Sequence, residues 1–116
     1  MQILTRVRLR IREAITVLRH AHDDIKQCRG ALKKDDSYCA TGVLAKHWGW
    51  KPKSQGYYID STTGEIQVLE SVNDDHEGYA IVRGKMTSEI IDKIIEKNDS
   101  GFTFNEIADE LEKMIK

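Results

Sequence analysis

The sequence predicts an α+β domain, and three observations carry that expectation. Residues 4–25 place apolar side chains at helical spacing. Residues 57–82 hold short runs rich in β-branched and aromatic residues, and residues 87–115 return to helical spacing behind capping residues. The expected architecture is an N-terminal helix, a short Cys39-led helix, a three-stranded antiparallel meander and a C-terminal helical hairpin. All four fall in a single domain spanning 1–116.

The bounds agree with this class. A chain of 116 residues suits one domain with a real core. With 32% charged and 40% hydrophobic residues it reads as globular rather than disordered. No apolar run approaches the roughly 20 residues that a bilayer span requires. The first 14 residues have arginines throughout and no separate apolar block, so no leader is expected. Two cysteines do not make a disulfide framework, and reduced thiols in a cytoplasm are the expectation.

In the first helix Leu4, Val7, Ile11, Ala14, Ile15, Leu18, Ala21 and Ile25 recur at intervals of three and four, which puts them on one face. Val7, Leu9 and Ile11 also alternate with Arg8, Arg10 and Arg12, as in a strand, but the longer window decides for a helix. Leu9 and Val17 stand off the stripe, where a partner helix or a dimer seam would use them. His20 and His22 are two residues apart and so face different ways, a poor metal pair on a helix.

Residues 27–50 hold both cysteines, both tryptophans and the densest turn signal. Gln27–Leu32, broken by Gly30, reads as extended, and residues 33–37 read as a polar turn in which Asp36 or Ser37 caps the next helix. That helix carries Cys39, Ala40, Val43, Leu44, His47 and Trp48 and stops at Trp48-Gly49-Trp50. Gly42 inside it costs about 1 kcal/mol relative to alanine, so a close packing contact is expected there.

The meander is expected from Tyr57-Tyr58-Ile59, Ile66-Gln67-Val68-Leu69 and Tyr79-Ala80-Ile81-Val82, with turns at residues 60–64 and 73–78. Thr87 or Ser88 caps a helix bearing Ile90, Ile91, Ile94 and Ile95. Thr103 and Glu106 form a capping box ahead of Phe104, Ile107, Ala108, Leu111, Met114 and Ile115.

Four constellations bear on function. A cysteine in the first turn of a helix has its thiolate favoured by the helix dipole. With His76 at the start of a strand, Cys39 would form a nucleophile–base pair laid out as in a papain-like cysteine hydrolase. Against this, Cys39 lies on the apolar stripe of its own helix, where buried cysteine is ordinary packing. A zinc site from Cys28, Cys39, His47 and His76 has suitable ligand types but no short paired spacing, so no metal or other cofactor is expected. Residues 1–34 carry nine Lys/Arg against three acids (+6), residues 35–84 four against eight (−4) and residues 85–116 five against eight (−3). This asymmetry allows nonspecific nucleic-acid binding through Arg6, Arg8, Arg10, Arg12 and Arg19, although a basic helix also packs against acidic ones. Phe104–Asp109 has the flavour of a first helix-turn-helix helix, but no recognition helix follows it.

Two strings, Gln27-x-x-Gly30-x-Leu32 and Tyr38-Cys39-x-x-Gly42-Val43-Leu44, resemble small proteins encoded by phages, prophages and other mobile elements. In those proteins Q-x-x-G-x-L, a polar turn and Y-C-x-L-G-V-L recur together, often with N-D-x-G-x-x-F-x-x-I-A-D near the C-terminus. Asn98–Asp109 matches that last string. The resemblance covers roughly the first and last thirds, and Thr41 stands where leucine is common. It implies kinship and no activity. The first reading is therefore a non-enzymatic accessory or interaction protein of a mobile element, acting in the cytoplasm. Its partner is not named by the sequence: a host protein or a second copy is expected first and nucleic acid after these, with no membrane role. The alternatives are the Cys39/His76 hydrolase and the basic nucleic-acid face.

Overall fold

The computed structural model describes residues 4–52, 56–69 and 75–116, with side chains left out at 56–58 and 67–69. Helix α1 spans Thr5–Asp24 and buries Val7, Ile11, Ala14, Leu18 and Ala21, the core of the stripe read from the sequence. Ile25 turns extended at its end, with its N–H still bonded to Ala21 O at 2.8 Å. Three two-residue strands follow: β1 (Lys26–Gln27), β2 (Lys33–Lys34) and β3 (Ser37–Tyr38). Their order is β1-β3-β2, with β1 parallel and β2 antiparallel to β3. The β2–β3 turn places Asp35 at φ 52°, a left-handed conformation that aspartate tolerates better than most residues.

Helix α2 (Ala40–His47) is capped by Cys39 itself, whose Sγ accepts from Gly42 N at 3.3 Å; Asp36 and Ser37 lie in the turn and in β3. Every residue from Ala40 to Ala45 is buried, so α2 is the central helix of the molecule. Its glycine is required by contact. A Cβ on Gly42 would sit 2.0 Å from Leu32 O, so α2 lies directly on the Leu32 backbone.

The expected meander is corrected in its third strand. Strands β4 (Gly56–Ile59) and β5 (Ile66–Leu69) pair antiparallel as a hairpin, with Ile59 opposite Ile66. Asp60 organises the turn, its Oδ1 accepting from Thr62 N at 2.8 Å and Thr63 N at 3.3 Å. Tyr79–Val82, however, lies inside helix α3 (Asp75–Arg83). A four-residue apolar run fits a strand or a buried helix turn equally. Here Gly78 and Val82, four apart, are the buried positions, and Asp75 and Glu77 at the first turn with Arg83 at the last suit the helix dipole. A Cβ on Gly78 would meet Leu32 Cδ1 at 2.6 Å and the Trp50 ring at 3.1 Å, so α3 approaches these side chains closely. The turn expected at 73–78 forms the start of α3 from Asp75 onward; its residues 73–74 lie outside the described residues.

Helix α4 (Ser88–Asp99) is capped by Thr87, whose Oγ1 accepts from Ile90 N at 3.4 Å, and it buries Ile90, Ile91 and Ile94. Helix α5 (Phe104–Met114) has the expected Thr103–Glu106 capping box and buries Phe104, Ile107, Ala108 and Leu111. A short connection over residues 100–103 joins the two, and α5 packs most extensively along α1. One cluster of buried side chains links all five helices with Leu32, Tyr38 and Trp50. The α+β class, with helices at both ends, is the class observed. No described helix is long and apolar enough to cross a membrane.

Candidate functional site

The three motif strings, distant in sequence, meet in one place. Gln27 leaves β1 and spends its whole amide there. Nε2 donates to Asn98 Oδ1 at 2.8 Å and Phe102 O at 2.7 Å, while Oε1 accepts from Phe104 N at 3.1 Å. Asn98, only 1% exposed, also accepts from Ala40 N at 2.9 Å and donates from Nδ2 to Cys28 O at 2.9 Å. Gly30 N donates to Asp99 Oδ1 at 3.3 Å, and Cys39 N donates to Leu32 O at 3.0 Å. The first-turn N–H groups of α2 and α5 have no partners within their own helices. Gln27 and Asn98 supply those partners and so tie three helix ends to β1.

Cys39 sits beside this cluster, 6% exposed. Burial pushes its thiol up to about 11, outweighing the Gly42 N–H that favours the thiolate. Cys28 is partly buried, and burial raises its thiol too; both cysteines are free. A cavity of about 70 Å³ touches Cys39, Tyr79, Asn98 and Asp99. That is room for about two waters at roughly 30 Å³ each, well short of the roughly 300 Å³ at which ligand pockets begin. His76 is exposed in the first turn of α3, which replaces the strand it was expected to begin, and it makes no hydrogen bond with Cys39.

His47 is engaged elsewhere. Its Nε2 lies 2.9 Å from Glu13 Oε1, and Trp48 Nε1 donates to the same oxygen at 2.6 Å. The hydrogen bond from Trp48, followed by those from His47 and Arg10, holds the Glu13 carboxyl below its ordinary range. Among the described residues, no group of three or more His, Cys, Asp or Glu side chains comes together as a metal site.

The α1 arginines separate into different environments. Arg8 Nη1 donates to Ile115 O at 2.7 Å, just past the end of α5. Arg19 pairs with Asp109 at 2.8 Å and Glu112 at 3.1 Å, and the first of these bonds raises its pKa. Arg12 borders a shallow depression shared with Glu112 and Ile115. Arg6 and Arg10 face a cleft of about 420 Å³ with Arg83 at the end of α3 and Lys85 from the α3–α4 connection. Sequence reasoning missed Arg83 and Lys85, since nothing local marks two cations after an apolar run. Val17, expected on a second contact surface, lines a groove of about 510 Å³ between α1 and α2 with Ala21, Ile25 and Val43.

Comparison with protein-family models, with curated proteins and with solved structures finds no match to this chain.

Proposed function

We propose that this chain is a non-enzymatic interaction protein of a phage or other mobile element, whose partner is a protein. The observation that carries this reading is the fate of the motif residues. Gln27 and Asn98 direct their polar groups at each other and at the backbone of adjoining segments, and the Cys39 sulfur caps its own helix, so these strings serve to hold a fold. The mobile-element assignment rests on those strings. The hydrolase alternative asks for an accessible thiolate, whereas Cys39 is buried with its thiol raised to about 11.

An exposed apolar pair supports the protein-partner reading. Ile59 and Ile66 face each other across the hairpin, each 67% exposed, although most large apolar side chains are buried. An exposed cross-strand isoleucine pair gains by being covered, at about 25 cal/mol per Å² of apolar area removed from water. A photo-crosslinking residue in place of Ile66, introduced in cells that carry the element, tests the reading. One dominant protein adduct, lost in Ile59→Asp, is expected. Absence of any adduct, together with rapid labelling of native Cys39, would overturn it.

A further inference from the structure

We propose that the cleft between the N-terminal half of α1 and the α3–α4 connection binds a compact, multiply charged phosphate group of the pyrophosphate class, free or carried on a nucleotide. Arg6 and Arg10 enter it from α1, and Arg83 and Lys85 from residues 83–87. Among the described residues no acidic side chain lines it. Its floor is firm, because Val7 and Met86 are buried at 8% and 3% exposure. Thr87 also lines it and caps the 12-residue helix α4, whose positive end is partly offset by Glu89 in the first turn.

Outside the cleft Arg19 has Asp109 and Glu112, and of the cleft's own cations Arg10 shares Glu13 at 3.1 Å. Among the described residues, Arg6, Arg83 and Lys85 make no ion pair, and Arg83 stacks over the Tyr79 ring at 5.5 Å with its charge intact. Like charges converging on one concavity repel unless an anion enters, and the planar guanidinium fork suits phosphate oxygens.

The distribution of the cations favours a small ligand over a nucleic-acid strand. A volume near 420 Å³ lies within the roughly 300–1,000 Å³ of small-molecule sites. A backbone track needs a continuous basic stripe. Here Arg8 is spent on Ile115 O, Arg19 on the α5 acids, and Arg12 borders a different depression. This inference is independent of the protein-partner reading.

The test is calorimetric titration of the full chain with inorganic pyrophosphate at low salt, repeated with a 12-nucleotide single-stranded DNA. The variants are Arg83→Glu/Lys85→Glu, Arg6→Gln and Arg12→Glu, each checked by circular dichroism for an unchanged fold. Saturable one-to-one pyrophosphate binding is expected, weakened at least tenfold in the double variant, severalfold in R6Q and less than twofold in R12E. Should the double variant not fold, R6Q against R12E decides. Three outcomes would each overturn the proposal: no saturable binding, an equal loss in R12E, or DNA binding that displaces pyrophosphate and depends on Arg12.

Discussion

Gln27 and Asn98, 71 residues apart in the chain, are joined by a 2.8 Å hydrogen bond from the Gln27 amide nitrogen to Asn98 Oδ1. Around that bond the N–H groups opening α2 and α5 and the Cys28 and Phe102 carbonyls all find acceptors or donors. A buried network of this kind is stabilising only when it is complete, since each orphaned group costs its full desolvation.

Asn98→Ala orphans Ala40 N, Cys28 O and one Gln27 proton together. It is expected to lower unfolding free energy by about 2–4 kcal/mol. Urea denaturation measures it, and Gln27→Ala in the Asn98→Ala background is expected to cost less than Gln27→Ala alone, because the two share one network.

Gly42→Ala places a methyl 2.0 Å from Leu32 O, a backbone atom that cannot rotate away. The loss is expected to exceed about 3 kcal/mol, the range of severe core disruptions. Gly78→Ala meets a leucine methyl and an indole face, which are able to shift, and is expected to cost about 1–3 kcal/mol. Denaturation midpoints of the two variants, compared at equal m-value, check this order.

Thr41 is 1% exposed, and its Oγ1 is buried without a hydrogen-bond partner among the described residues. Thr41→Val keeps the shape and removes the orphaned hydroxyl. A gain of about 1 kcal/mol in urea denaturation is the expected result.

Glu13 accepts from Trp48 and adjoins His47 and Arg10, which together hold its carboxyl below the ordinary value of about 4.3. Because the folded value is the lower one, its contribution to stability is present above about pH 4.3 and is lost as pH falls through the folded value. Glu13→Gln is therefore expected to be less stable than the parent at pH 7, with the gap narrowing toward pH 3. Urea midpoints measured between those limits show it.

Helices α4 and α5 were legible because stripe, cap and stop coincide, as Thr103, Glu106 and Leu111 do for α5. Helices α1 and α2 were legible from the stripe alone, since Leu4 supplies no side-chain cap and α2 is capped by Cys39 rather than by Asp36 or Ser37. Tyr79–Val82 was misread because four apolar residues carry no decisive period, and Gly78 gave no local sign that it would be pressed against Leu32 and Trp50. The strands at 26–27 and 37–38 exist through each other, a tertiary pairing that no local pattern announces. The Arg-rich helix was visible in the sequence. The division of its arginines between the α5 acids, the Ile115 carbonyl and the cleft with Arg83 depends on how α1 lies against the rest.

The claim that residues 27–44 and 98–109 build a fold rather than an active site is tested most directly at Cys39. The measurement is the alkylation rate of the native protein from pH 6 to pH 10, with Cys28→Ser so that one thiol is read. The account predicts protection, with labelling that follows global unfolding and no thiolate step below about pH 10, in keeping with a thiol raised to about 11. Fast labelling of the folded protein, with an apparent pKa below the ordinary thiol value of about 8.5, would contradict it.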